Sequence, residues 1–327
     1  MLKIGLIGVG HLGKIHLKLI QELSDIYELV GIYDTDKTHL EEVAKEFNCK
    51  GFSSAEELVQ LSDCVDIVTP TIAHYEIASY AIKQSKHIFI EKPITHTTAE
   101  AKSLLSLSEE AGVKVQVGHV ERFNPAFQAV VDYINHPMFI ETHRLALFNP
   151  RGTDVPVVLD LMIHDLDIIL STVKSPVRNI SASGVAIVSD TPDITNARIE
   201  FDNGCVANIT ASRISMKNMR KSRFFQRDAY ISVDFLNKES EIVQMENVEG
   251  EAGPFDIILE MGNGKPDKKI MIDKPEILPN NAIRDELRTF YEAIKNDTSP
   301  IVSLEDGMLA LEVAEKIMEK LEMSTLQ

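Results

Sequence analysis

The chain has 327 residues, enough for about two domains, and with 44% apolar and 25% charged residues its composition is globular rather than disordered. Lys and Arg number 33 against 50 Asp and Glu, a formal net charge of −17, which argues against nucleic acid or an anionic membrane as partner because both need a basic face. No stretch approaches the roughly 18 uninterrupted apolar residues of a membrane span.

Residues 1–8 turn glycine-rich at once, without the long apolar core and cleavage site of a secretion signal. Three widely spaced cysteines, Cys49, Cys64 and Cys205, form neither a disulfide framework nor a zinc signature. Reduced thiols in a cytoplasmic protein are the expectation. Residues 2–7 then make a short apolar run that predicts a first strand. It leads into Gly8-Val9-Gly10-His11-Leu12-Gly13 and a helical stretch over residues 14–23. A second strand at 29–33 closes on Asp34, and Asp36 is placed to cap a helix over 38–47. Strands follow at 65–68, 87–90 and 114–117, separated by helices at 73–83 and 99–111. Short buried strands alternating with helices predict an α/β unit over residues 1–122, an N-terminal Rossmann domain with a doubly wound parallel sheet.

Beyond residue 122 the pattern changes, and 123–327 reads as an α+β domain with a mainly antiparallel open sheet. An apolar helix at 156–172 comes first. Residues 195–201 and 205–211 each alternate about Asp202-Asn203-Gly204, which predicts a hairpin. Ile231, Val233 and Phe235 line one side of another strand, and helices near 283–295 and 304–321 end the chain.

GxGxxG is weak alone, but here it follows a strand and opens a helix, as a dinucleotide site requires. Gly8 permits the tight turn, Gly10 leaves room for a pyrophosphate, and Gly13 lets helix and strand pack closely. The helix start at His11 and Leu12 offers N–H groups and a partial positive charge to phosphates. Asp34 can accept the ribose hydroxyls and would repel a 2′-phosphate. This favours NAD over NADP, with Lys37 the one nearby feature that would suit NADP.

Glu91-Lys92-Pro93 follows a strand immediately, so Lys92 sits at the carboxyl edge of the sheet, where ligands of open α/β sheets bind. It is either a group that hydrogen-bonds or deprotonates a substrate hydroxyl, or an exposed surface lysine. On the helix 157–172, at about 100° per residue, Asp160, His164, Asp167 and Ser171 fall on one narrow stripe, with Asp165 off it. A polar stripe on a buried helix faces water, a partner or a ligand. His164 oriented by Asp160 could exchange a proton near neutral pH; the alternative is a structural hydrogen-bond network. Arg122 and Asn124 leave the strand 114–117 as an anion clamp or as a helix entry. Thr69-Pro70-Thr71 and His74 are either a strand-to-helix turn or a contact to ribose or nicotinamide. The histidines and cysteines show no metal spacing, so no metal is expected. The basic residues Lys217, Arg220, Lys221, Arg223 and Arg227 read as a solvated strand face or loop, with contact to a phosphate-bearing substrate or a subunit as the alternative.

Taken together, Gly8 to Gly13, Asp34, Glu91-Lys92-Pro93, Gly118 through Pro125 and Asp160 with His164 resemble the Gfo/Idh/MocA oxidoreductase family. The resemblance implies an NAD(P)-binding domain followed by a sheet domain that builds a homodimer or homotetramer. It also implies that Lys92 and His164 act on a hydroxyl of a sugar or nucleotide sugar, with Arg122, Asn124 and Asp160 beside the substrate and Glu91 beside the cofactor. Many sugar-oxidising relatives carry consecutive glycines before the Asp-x-x-x-His helix, where this chain has Asp154-Val155-Pro156-Val157-Val158. This speaks against a free monosaccharide as substrate, and Gly118 to Pro125 with Leu159 to Asp165 look like the branch of UDP-N-acetylglucosamine 3-dehydrogenases. Two competing expectations are a non-catalytic NAD-binding sensor and an enzyme with tightly held NAD and no net redox change.

Overall fold

The computed structural model describes residues 1–149, 155–248, 253 and 256–325, the side chains of 323–325 excepted. Asp154, which opens the glycine-free stretch before the Asp-x-x-x-His helix, lies outside them. Two compact units make up the chain: Met1–Phe123 with Asn280–Glu315, and Asn124–Pro279 with Lys316–Gln327.

The first unit is built on strands β1 (Leu2–Ile7), β2 (Tyr27–Tyr33), β3 (Cys64–Ile67), β4 (His87–Glu91) and β5 (Val115–Gly118). All pair in parallel, in the order β2-β1-β3-β4-β5. Every residue of β3 and β5 is buried, as expected of strands covered on both faces. Helices α1 (His11–Glu22), α2 (Lys37–Glu46), α3 (Ala55–Leu61), α4 (His74–Lys83) and α5 (Thr98–Ala111) form the crossovers. Local chemistry sets their ends. Asp36 accepts the His39 N–H at 3.0 Å to start α2, and Thr97 with Glu100 forms a full capping box on α5, which stops at Gly112 in the left-handed region. Because the strand order reverses between β1 and β3, a crevice opens beyond their carboxyl ends, the place where such sheets take ligands.

Two elements depart from expectation here. Helix α3 has no counterpart in the sequence reading, because seven residues give too short a window for periodicity. A single second domain over 123–327 is also corrected, since helix α8 (Ala282–Lys295) and the start of α9 (Leu304–Thr325) return to the first unit. Leu287 and Phe290 of α8 enter the core of Ile4, Leu6 and Phe89, with the Phe89 and Phe290 rings 6.0 Å apart. Further contacts hold this return in place. The Tyr27 hydroxyl donates to the Leu287 carbonyl at 2.7 Å, and Thr98 Oγ1 donates to Glu315 Oε2 at 2.6 Å.

Among the described residues the second unit carries one nine-stranded sheet. In chain order its strands are β6 (Phe139–Leu145), β7 (Val177–Val185), β8 (Ile194–Phe201), β9 (Val206–Ser212), β10 (Met219–Gln226), β11 (Ala229–Asp234), β12 (Glu239–Asn247), β13 (Ile257–Leu259) and β14 (Lys268–Asp273). Their spatial order is β13-β14-β12-β11-β10-β6-β9-β8-β7, and only the β6–β9 pair is parallel. The predicted hairpin is β8–β9, turned by Gly204 at φ +87°. One face is apolar, carrying Ile140, Ala197, Ile199, Ile209, Phe224 and Ile231. The other pairs charges and polar groups across strands, for example Arg223 with Glu141 at 3.0 Å and Asn196 with Thr210 at 2.9 Å. In the basic stretch Arg223 is therefore ion-paired on β10, as is Lys221, 3.0 Å from Asp234. A short helix α6 (Pro125–Gln128) enters this unit, and α7 (Ile163–Val173) belongs to it.

Helix 156–172 is not a regular α-helix. Val158–Met162 forms a π turn, in which the Ile163 N–H donates to the Val158 carbonyl, and only then does α7 begin. The 100°-per-residue stripe is corrected accordingly. Asp160 lies in the π turn, and Ser171 spends its hydroxyl on the Ile168 carbonyl at 2.8 Å. Asp165, placed off the stripe, is buried and takes both Nε and Nη2 of Arg144 at 2.9 and 3.0 Å.

Candidate active site

In the first unit a cavity of about 750 Å³ lies beyond the ends of β1 and β3, and Gly8 to Gly13, Asp34, Thr69-Pro70, Glu91 and Lys92 line it. The Gly8–Gly13 turn is forced by its backbone. Gly8 sits at φ +93°, and a Cβ there would lie 2.5 Å from the Val68 carbonyl oxygen. A Cβ on Gly13 would overlap the Gly8 carbonyl oxygen. At Gly10 a Cβ would meet nothing within 4 Å, so the turn leaves open space where a pyrophosphate has to approach.

Helix α1 starts at Gly10 with no side-chain cap and no acid in its first turn. Its leading N–H groups therefore keep their partial positive charge for a ligand. The Asp34 carboxylate is held by the backbone: Oδ2 accepts the Val9 N–H at 2.9 Å and Oδ1 the Asp36 N–H at 3.0 Å. His39, which the sequence reading missed, donates to the Val9 carbonyl at 2.9 Å and lines the same cavity. Its place three residues after the cap Asp36 was the available signal. Ile72, exposed at the mouth, adds an apolar lip, and Thr69 Oγ1 is buried with no hydrogen-bond partner among the described residues. An uncapped helix start, a fixed acid, open space at Gly10 and an orphaned hydroxyl fit a dinucleotide at both its diphosphate and its ribose.

His74 is corrected to a brace. Buried behind the cavity wall, its ring nitrogens lie 2.9 Å from the carbonyl oxygens of Pro93 and Thr69, so it ties the Thr69 turn to the Lys92-Pro93 turn. Burial lowers its pKa, against the pull of the two carbonyls. Thr71 opens a half-exposed 3₁₀ turn before α4. Glu91 is buried, and its Oε2 accepts the Lys92 N–H at 3.2 Å.

Arg122 pairs with Asp306 of α9 at 3.5 Å within the first unit. Asn124 is taken up as a helix entry: Oδ1 accepts the Ala126 N–H at 3.1 Å and Nδ2 donates to the Phe235 carbonyl at 3.0 Å. These contacts match the helix entry read for Asn124 and hold Arg122 against α9. In the second unit Asp160 and His164 are half-buried, while Asp167 is buried. The buried Arg144–Asp165 pair was missed, although Arg144 shares its strand parity with the inward Ile140 and Thr142. Among the described residues, no group of three or more His, Cys, Asp or Glu gathers to hold a metal, and no helix is long and apolar enough to cross a membrane.

Sequence models of one family match both units: residues 2–119 match its "Oxidoreductase family, NAD-binding Rossmann fold" and residues 139–227 its C-terminal domain. The chain belongs to the Gfo/Idh/MocA oxidoreductase family. It is 40% identical to UDP-N-acetylglucosamine 3-dehydrogenase of Acidithiobacillus ferrooxidans, over 72% of this chain and 75% of that protein. The crystal structure of the same enzyme superposes with a TM-score of 0.88, covering 100% of this chain and 99% of that one at 33% identity. A more distant relative, scyllo-inositol 2-dehydrogenase (NAD(+)) of Bacillus subtilis, is 27% identical over 94% of this chain and 90% of its own. The first unit is thus an NAD-binding Rossmann domain of an oxidoreductase, and the relatives act on the CH–OH groups of sugars and nucleotide sugars.

Proposed function

We propose that the protein oxidises a secondary hydroxyl of a nucleotide sugar, with UDP-N-acetylglucosamine at carbon 3 as the first candidate. The observation that carries this reading is the cavity in which the glycine turn, Asp34 and Lys92 share one wall, in a chain 40% identical to an enzyme of that name. Gly8 to Gly13 and the start of α1 hold the diphosphate. Asp34 holds the adenosine ribose and disfavours a 2′-phosphate, and the Thr69 hydroxyl and Glu91 border the rest of the cofactor. NAD supplies a hydride acceptor when bound. Lys92 hydrogen-bonds the substrate oxygen and stabilises the negative charge that develops there, while His164, aided by Asp160, takes the hydroxyl proton. A homodimer or homotetramer built on the sheet of the second unit and a cytoplasmic location belong to the same reading. The long cross-strand ladder and three free thiols support them.

The test is NADH formation at 340 nm over a panel of nucleotide sugars, free sugars and inositols, with products followed by mass spectrometry. UDP-N-acetylglucosamine should be the best substrate. Lys92→Ala and His164→Ala should each lower turnover about a hundredfold or more, with NAD affinity within about threefold. Full activity in both variants refutes the residue assignment. Substrate consumed without net NADH refutes the dehydrogenase reading in favour of a closed redox cycle.

A further inference from the structure

Behind the cavity wall lies a charged group that the proposed chemistry does not use. His16, on the inward face of α1, is fully buried. Its Nδ1–H donates to Asp66 Oδ2 on β3 at 2.8 Å, and its Nε2 lies 3.3 Å from Glu91 Oε1 at the end of β4. The Phe89 ring stands edge-on 5.7 Å away. One imidazole therefore lies between two carboxylates from two strands, hydrogen-bonded to Asp66 and within ion-pair distance of Glu91, and those are the charged groups that face it. The second carboxylate is not a bystander. Its other oxygen receives the Lys92 N–H, and Gly118 packs so closely that a Cβ there would lie 2.7 Å from Glu91 Oε1.

We infer that His16 is a buried cation that fixes the Glu91 carboxylate and, through it, the backbone that presents Lys92, making it a positioning residue for the reaction. Two carboxylates sharing one buried site repel each other, and an unpaired buried carboxylate takes up a proton or moves toward water. The imidazolium between Asp66 and Glu91 opposes both outcomes. The electrostatics agree in direction at His16 and Glu91, whereas at Asp66 burial outweighs His16 and leaves that carboxyl above its usual value. Burial lowers the His16 pKa, but Asp66 and Glu91 outweigh it and hold the value well above the usual 6.5. Burial raises the Glu91 pKa, but His16 and Lys92 outweigh it and hold the value below the usual carboxylate range. Glu91 is thus kept ionised, the state in which it accepts the Lys92 N–H most strongly. With the charge fixed, Lys92 enters the cavity from a backbone that cannot drift. A placement error of about 1 Å would cost on the order of a hundredfold in rate.

This inference rests on the role proposed above for Lys92, so its test has one arm that needs turnover and two that do not. In the full-length protein, His16→Asn and Glu91→Gln should each lower kcat about tenfold or more with KM within about threefold, and His16→Asn should leave NAD affinity within about threefold. The double variant should be no slower than Glu91→Gln alone, because His16 acts through Glu91. Losses that multiply, or that fall on KM with kcat intact, overturn the inference. Nitrogen-15 NMR of histidine-labelled wild-type protein needs no substrate. Both ring nitrogens of His16 should carry protons at pH 7, and a neutral ring there overturns it. Reductive carbon-13 methylation should give a Lys92 resonance, identified by its loss in Lys92→Arg, that shifts in His16→Asn while that of Lys37 does not. An unmoved Lys92 resonance also overturns it. Should no sugar yield NADH in wild type, the proposed function fails, and the two NMR arms still decide on His16.

Discussion

Gly10 and Gly13 lie three residues apart in one turn, yet their alanine variants should fail in different ways. At Gly10 the backbone has φ −63° and ψ −160°, outside the left-handed region that demands glycine, and a Cβ meets no protein atom within 4 Å. Fewer unfolded conformations stabilise Gly10→Ala by about 0.4–1 kcal/mol. Losing glycine at a helix N-cap in favour of alanine, among the poorest residues there, costs a similar amount. The two effects nearly cancel, so the Tm of the ligand-free protein should stay within about 3 °C of wild type. The methyl group, however, fills the open space that a pyrophosphate needs, and NAD should bind at least tenfold more weakly, about 1.4 kcal/mol. At Gly13 the added Cβ overlaps the Gly8 carbonyl oxygen, and backbone cannot swing aside as a side chain can. Gly13→Ala should therefore cost about 3 kcal/mol of stability, the upper end for overpacking, as well as NAD binding. Thermal unfolding of the ligand-free proteins and calorimetric titration with NAD separate the two effects. Unchanged NAD affinity in Gly10→Ala refutes the placement of the diphosphate at this turn, and a large loss of its ligand-free stability refutes the cancellation.

The Arg144–Asp165 pair is buried and bidentate, so Arg144→Met should cost about 3–5 kcal/mol in denaturant unfolding by stranding a buried carboxylate; Arg144→Met with Asp165→Leu should recover most of it, and equal losses in both would refute the account. His16 has a raised folded pKa, so its contribution to stability is complete below the unfolded value near 6.5 and is lost as pH climbs through the folded one. The stability gap between wild type and His16→Asn should be widest at about pH 5.5–6.5 and narrow on the alkaline side. Glu91, with a depressed folded pKa, contributes above its unfolded value and loses that contribution only as pH falls through the folded one, so the gap between wild type and Glu91→Gln should close on the acid side. Urea unfolding across pH 4–9 checks both signs.

The cofactor half was legible because its signals are local and redundant. Short apolar runs, a glycine turn directly after the first, an acid at the end of the second and a cap at Asp36 all demand the same arrangement, and each is written within a dozen residues of what it determines. Lys92 was legible for a related reason: a residue just past a strand in a parallel sheet sits at its ligand-binding edge wherever the strand lies in the order. The return of α8 was hidden. An amphipathic helix shows that Leu287 and Phe290 need a core but not which core, and about 160 residues of sheet intervene between Phe123 and Asn280. His16 was hidden by its company, since on an apolar helix face it reads like any core histidine, and its two carboxylates arrive from strands 50 and 75 residues away.

The second half shows where periodicity arithmetic breaks. Counting 100° per residue from Asp160 assumes four-residue bonds throughout, whereas the Val158–Ile163 bond spans five. One extra residue in a turn rotates everything after it by about 100° relative to everything before, enough to move a side chain from one face of the helix to the next. Counting at 100° per residue therefore does not place Asp160 relative to His164, and Asp165 turns inward to Arg144. The strand held the corrective signal. In β6 the inward parity runs Ile140, Thr142, Arg144, and a guanidinium on the buried side of a sheet requires an acid on whatever covers it. Asp165 and Asp167 were the acids on offer from the helix, and an inward Arg144 made it necessary that one of them face the core, whatever the arithmetic of the stripe.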